Sequence, residues 1–209
     1  MTRPLVAVLD YGIGNLHSAQ KAIERMGADA RLTDDAALIA EADGVVLPGV
    51  GAFGACMDAL RGSGLERPAL DAVASGRPFL GICVGMQMLF GGSEEDHDTR
   101  GLGVIPGSVR WIPHGVKRPQ MQWNQLTLVD TSEPMFRELG TDPWVYFVHS
   151  LHGVPNDPAV VAARCDYGGD VNAAFRLGNV FATQFHPEKS GITGLALLRN
   201  FVVGLEGGR

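Results

Sequence analysis

Apolar positions in the first part of the chain come in short unbroken runs, separated by stretches with helical spacing. The run "PLVAVLD" (4–10) is rich in β-branched residues and ends at the glycines of "YGIGN". Between Asn15 and Gly27, the residues Leu16, Ala19, Ile23 and Met26 recur at a helical interval, with Asn15 placed to cap the helix and Gly27 to stop it. "GVVLPG" (44–49) and "RPFLGIC" (77–83) read as further buried strands, with helical stretches around 53–61 and 66–75 between them. Strands that alternate with helices of this length predict right-handed βαβ crossovers and a parallel sheet.

After about residue 100 the texture changes. "SVRWI", "NQLTLVD", "WVYFVHS", "AVVAARC", "VNAAFRL" and "NVFATQFH" are closely spaced strand candidates with turn residues between them, and an apolar helix, "ITGLALLRNFVVGL" (192–205), follows. The pattern predicts one α/β domain over residues 1–209. It has an open, mostly parallel sheet flanked by helices, with an added, largely antiparallel β-rich part. There is no internal repeat and no linker long enough to divide it.

Composition narrows the function classes. At 209 residues, 45% hydrophobic and 19% charged, the chain suits a soluble domain with a sizeable core. A net charge of −6 argues against a nucleic-acid partner, which calls for a basic stripe. No apolar run approaches the ~20 residues of a membrane span. The opening "MTRPLVAVLDYG" reaches Asp10 with no small-residue cleavage site, so it does not read as a secretory leader. Cys56, Cys83 and Cys165 form neither a disulfide framework nor a CxxC metal pair, which points to a reduced, cytoplasmic setting without a metal site. The 28 glycines fall in clusters rather than with a period, marking turns that need unusual backbone angles.

Sites in open α/β sheets lie beyond the carboxyl ends of the strands. Three such ends are marked by glycine: "DYGIGN" (10–15), "PGVGAF" (48–53) and "GICVG" (81–85). The last has the pattern Gly-x-nucleophile-x-Gly, with Cys83 in the reactive position. A sharp strand-to-helix turn crowds the backbone, so Gly81 and Gly85 stand where a Cβ would clash. A helix starting at Val84 aims free N–H groups at the sulfur. That favours thiolate over thiol, and the same groups can hold a developing oxyanion. Most free cysteines are buried and inert, and Cys56 and Cys165 fit that description.

A cysteine nucleophile needs a base, and the base needs an orienting partner. His17 lies on an amphipathic helix, and His97 and His114 sit in polar, loop-like segments. His149 and His152 are three apart around a strand end, which sends them to opposite faces and argues against a metal pair. His186 ends the last strand candidate, and Pro187 biases it toward extended geometry. In extended chain, positions 186 and 188 point the same way, so Glu188 can fix the imidazole tautomer. Cys83, His186 and Glu188 make a candidate catalytic triad.

Taken together, "GICVGMQMLF", "PGVGAF" and "FHPEKS" resemble the signatures of triad-type glutamine amidotransferases. "DYGIGNLHS", "PQMQWN" and "YFVHSLH" narrow the resemblance to the glutaminase subunits of imidazole glycerol phosphate synthases, over residues 4 to 203. The resemblance implies hydrolysis of glutamine through a cysteine thioester, with oxyanion donors at the backbone N–H of Val50 and Val84. It further implies glutamine contacts from Gly51, Gln87, His149 and Ser150, and no cofactor. The implied partner is a (β/α)₈-barrel cyclase subunit that takes up the ammonia, forming a heterodimer in histidine biosynthesis. Trp123, Tyr146 and Lys189 are the residues expected to face that partner. Gln122 stands where glycine is usual, Gln120 where histidine is common and Leu151 where an aromatic is usual. The alternatives are the glutaminase of pyridoxal phosphate synthase, which normally carries a Gly-Gly-Glu-Ser type loop in place of "PGVGAF", an idle cysteine sensor or chaperone on the same fold, and a metal-binding or structural role for the histidines.

Overall fold

A computed structural model describes residues 3–206. The first half alternates strand and helix: β1 (Leu5–Leu9), α1 (Leu16–Arg25), β2 (Asp29–Thr33), α2 (Ala36–Glu41), β3 (Gly44–Gly49), α3 (Phe53–Gly62), α4 (Glu66–Ala74), β4 (Phe79–Cys83) and α5 (Val84–Met88). Strands then dominate: β5 (Gly92–Ser93), β6 (Asp96–Arg100), β7 (Gly107–Trp111), β8 (Gln120–Gln125), β9 (Thr127–Leu128), β10 (Trp144–His149), β11 (Leu151–Pro155), β12 (Val161–Asp166), β13 (Asp170–Leu177) and β14 (Val180–Thr183). Helix α6 (Gly191–Glu206) follows.

The main sheet runs β2-β1-β3-β4-β14-β13-β12-β9. Its first five strands are parallel, and β13, β12 and β9 continue it antiparallel. Strand order reverses at β1, so right-handed crossovers put α1 and α2 on opposite faces. Covered on both sides, the central strands carry no polar stripe: Val6–Leu9, Val45–Leu47 and Phe79–Ile82 are all buried. A second sheet, β11-β7-β5-β6, and a two-stranded ribbon of β8 and β10 complete the β-rich part.

The expected parallel sheet with an antiparallel extension is present, and some local details differ from expectation. β2 and α2 fill residues 29–41, where the apolar pattern marks no element. β2 is an edge strand whose Asp29 and Arg31 pair on the surface, so charge breaks its apolar run. His97 lies in strand β6, not in a loop. Asn15 precedes α1 without capping it, and its side chain instead accepts from the Ser18 hydroxyl.

Candidate active site

The chain passes from β4 to α5 without an intervening residue, and Cys83 is the hinge at φ 55, ψ −117. Such a conformation costs ~1–3 kcal/mol in a residue with a side chain, so the surroundings must hold it. They do so by close backbone packing. A Cβ on Gly85 would lie 1.9 Å from the Leu47 carbonyl oxygen. One on Gly81 would meet Leu89 Cδ1 at 2.9 Å, and one on Gly49 would meet the Gly85 nitrogen at 2.6 Å. Glycine at 49, 81 and 85 thus lets α5 settle against the ends of β3 and β4, with the Cys83 sulfur beside the loop after β3.

His186 arrives from the same end of the sheet by a route that differs from the expectation. β14 stops at Thr183, and residues 187–189 form a single 3₁₀ turn. Pro187 suits the first position of such a turn, because it fixes φ and lacks an N–H that would have no partner there. The turn, not strand alternation, brings Glu188 Oε1 to 2.8 Å from His186 Nδ1. Ser190 anchors the turn: its hydroxyl donates to the His186 carbonyl at 2.6 Å and accepts from the Tyr146 N–H at 2.9 Å. Gly194 lets α6 approach, since a Cβ there would lie 1.9 Å from the Pro187 carbonyl.

The side chains of His186 and Glu188 are each 2% exposed. Burial by itself opposes charge on the imidazole, but Cys83 and Glu188 outweigh it and raise the His186 pKa to about 9. Among the described residues no side chain or backbone group makes a hydrogen bond to Nε2 of His186. A cavity of about 270 Å³ opens at this point. Its walls include Val50, Gly51, Cys83, Gln87, Glu95 and His186, together with Pro119 and Val148–Leu151.

Gln87 is buried on α5 and lines the cavity, where it donates to the Leu151 carbonyl at 3.3 Å and to Gln184 Oε1 at 3.0 Å. His149 lines the cavity too, but both its ring nitrogens are engaged, Nδ1 with the Leu151 carbonyl at 2.7 Å and Nε2 with the Gln120 side chain at 2.9 Å. Burial lowers its pKa to about 4, so it is neutral. A neutral ring that donates from Nδ1 requires the Gln120 amide to turn its NH₂ toward Nε2. Gln120 is itself fully buried and reaches Cys165 on its other side, which makes it a strut behind the cavity wall.

Two residues of the site were missed. Gln184 Nε2 lies 3.8 Å from the Cys83 sulfur, which it can serve as donor. The signal was there, since Gln184 and His186 are two apart in a strand-like segment. Glu95 is the acidic side chain among the cavity-lining residues, and it accepts from the Phe53 N–H at 2.7 Å. Nothing in "GGSEEDHD" distinguishes it from its neighbours. The three expected partner-facing residues lie together on the surface: Trp123 is 48% exposed, Lys189 is exposed and Tyr146 is half-buried, with the two aromatic rings 6.1 Å apart.

Residues 7–205 match the family model described as glutamine amidotransferase class-I, and the chain belongs to that family. Solved structures share its fold. One described as a glutamine amidotransferase has a TM-score of 0.76 at 23% identity, covering 96% of this chain and 98% of its own. PurLQS from Thermotoga maritima gives 0.73 at 22%, covering 99% of each. Relatives at higher identity narrow the membership. Imidazole glycerol phosphate synthase subunit HisH of Syntrophotalea carbinolica is 50% identical over 94% of this chain and 98% of its own. The proteins of that name in Synechococcus elongatus (50%, covering 95% and 93%) and Methanothermobacter thermautotrophicus (48%, covering 95% and 98%) are similarly related. Within the amidotransferases the chain thus belongs with the HisH subunits.

Proposed function

We propose that this chain is the glutaminase subunit of an imidazole glycerol phosphate synthase, hydrolysing glutamine and passing the ammonia to a cyclase partner in histidine biosynthesis. The observation that carries the reading is the state of His186. Its Nδ1 is held by Glu188, its Nε2 is buried and makes no hydrogen bond among the described residues, and the ring lines the same cavity of about 270 Å³ as Cys83.

The chemistry follows from the placement. Glutamine enters with its side-chain amide toward Cys83. Its α-ammonium group is matched by Glu95, and Gln87, Gly51 and Ser150 border the chain between. His149 contributes wall rather than hydrogen bonds, because its ring is already satisfied. The sulfur attacks the amide carbon while its proton resides on His186, whose charged form Cys83 and Glu188 favour. The carbonyl oxygen becomes an oxyanion, held by the backbone N–H groups of Val50 and Val84. Collapse of this intermediate breaks the C–N bond, and His186 returns the proton to the departing ammonia. Water, deprotonated by His186, then cleaves the thioester to give glutamate and the free thiol. Glu188 keeps the ring in one tautomer and favours its charged form in both steps.

The partner docks on the ribbon of β8 and β10. Met121 (61% exposed) stands opposite Val148, and Trp123 opposite Tyr146. This face runs directly into the cavity rim at Val148, Ser150 and Pro119. Large aromatics at the centre of a patch are what protein interfaces bury, and Lys189 supplies a charge at its edge. A barrel subunit seated there forms a heterodimer and receives ammonia without its release to solvent. The three free cysteines support a reducing, cytoplasmic setting.

The test is labelling with a glutamine-derived chloroketone, followed by peptide mass spectrometry. An adduct confined to Cys83, blocked by excess glutamine, is the expected result. Labelling of Cys56 or Cys165 instead, or no labelling, contradicts the assignment.

A further inference from the structure

Gln184 follows the last residue of β14 and is fully buried, and its backbone N–H donates to the Ala173 carbonyl of β13 at 2.8 Å. Its side chain bridges two residues of the elbow. Nε2 lies 3.8 Å from the Cys83 sulfur, and Oε1 accepts from Gln87 Nε2 at 3.0 Å. Gln184 does not line the cavity, so it touches the nucleophile without being part of the wall that meets glutamine.

Which end of the Gln184 amide faces the sulfur is fixed by a backbone group two links away. The Leu151 carbonyl can only accept, and it takes one N–H of Gln87 at 3.3 Å. This sets the orientation of the Gln87 amide, whose second N–H needs an oxygen that Gln184 supplies. Turning the Gln184 amide over would set NH₂ against NH₂ and leave buried donors facing each other. The Gln184 N–H therefore points at the sulfur.

A hydrogen-bond donor favours the charged state of its acceptor over the neutral one. We propose that Gln184 is a further catalytic residue, donating to the Cys83 sulfur and holding it as the thiolate with its proton on His186, and that Gln87 orients it. The inference rests on the reading of Cys83 as the nucleophile and deepens it. It gives the thiolate a support that carries no charge of its own, and it gives Gln87 a task apart from the substrate. The other titratable groups about the sulfur are His186 and Glu188 of the catalytic turn, Glu95 and His149 of the cavity wall, Cys56 of α3 and Tyr11 of the loop after β1. The variants below leave all of them in place.

The experiment compares the parent with Gln184→Met, which keeps an unbranched chain of similar length and removes the donor. Alkylation of Cys83 by iodoacetamide is followed by peptide mass spectrometry, from the acidic pH at which the parent reacts at half its maximal rate up to the alkaline plateau. A hydrogen bond to a charged group corresponds to about a ten- to hundredfold change. Alkylation of Gln184→Met is expected to fall by that factor at the acidic pH and to converge with the parent on the plateau. Glutamate release by the complex with the cyclase subunit should fall comparably in kcat at the acidic pH, with KM for glutamine unchanged. Gln87→Met frees the Gln184 amide to turn, so it slows alkylation in the same direction and carries the test if Gln184→Met does not fold. Parent-like alkylation at the acidic pH overturns the proposal. So does an equal loss at every pH, which a displaced sulfur would give, or a change confined to KM. Failure of the parent to hydrolyse glutamine overturns the glutaminase reading instead, and the alkylation profiles still decide whether Gln184 supports the thiolate.

Discussion

Replacing Glu188 by Gln removes one charge from the site and changes little else in size. His186 is raised from 6.5 to about 9 although burial pulls it the other way, with Cys83 as the larger support and Glu188 next. A rise of that extent corresponds to on the order of 3 kcal/mol of preference for the charged ring. The share held by Glu188 is on the order of 1–2 kcal/mol. Because the folded pKa lies above the unfolded one, this stability is fully present below pH 6.5 and is lost as pH rises through about 9. Glu188→Gln is therefore expected to melt roughly 2–8 °C below the parent at pH 6, on the basis of ~2–4 °C per kcal/mol for a chain of this size. The gap should close by about pH 10, leaving only a pH-independent offset. Differential scanning calorimetry of both proteins at half-unit steps between pH 5.5 and 10 measures it. In turnover, Glu188→Gln should lose less than His186→Ala, whose loss of the acid–base group is worth ~10²–10⁴-fold. A melting gap that is constant with pH, or that widens toward alkaline pH, refutes the electrostatic account of the pair. Equal losses of turnover refute the division of roles.

Gly85→Ala should lower both stability and glutaminase rate, because its Cβ would meet the Leu47 carbonyl at 1.9 Å and α5 would have to move. A loss of ~1–3 kcal/mol by urea denaturation is expected, and a parent-like midpoint with full activity would contradict the packing. Trp123→Ala and Lys189→Ala should weaken binding to the cyclase subunit in calorimetric titration while the melting temperature stays near that of the parent. Unchanged affinity in both would put the docking face elsewhere.

Much of the sheet was legible because central parallel strands are covered on both sides and must be apolar throughout, as at Val6–Leu9 and Val45–Leu47. The elbow was legible for a different reason: Gly85 marks a position where backbone meets backbone, and Gly81 one where a Cβ would crowd the Leu89 side chain and the Met86 backbone. What escaped notice were elements whose side chains face water. β2 and β6 carry charges in alternation with their buried residues or in place of them, so no apolar run marks them. His186 and Glu188 meet through a turn started by Pro187 and not through the extended segment that the spacing suggests, since both geometries bring i and i+2 together here. Gln120 stood out only as a departure from a pattern. Its work as a buried strut between His149 and Cys165 depends on three strands separated in sequence, which local spacing does not reveal.

The most direct measurement of the central claim is the nitrogen source of the assembled synthase. The complex containing Cys83→Ala should form normally and make no imidazole glycerol phosphate from glutamine, yet match the parent complex when supplied with ammonium salt. The nucleophile is needed only to release ammonia, and free ammonia bypasses it. Glutamine-dependent synthesis by the substituted complex would contradict the assignment of Cys83. Loss of ammonia-dependent synthesis would contradict the separation of glutaminase and cyclase work between the two subunits.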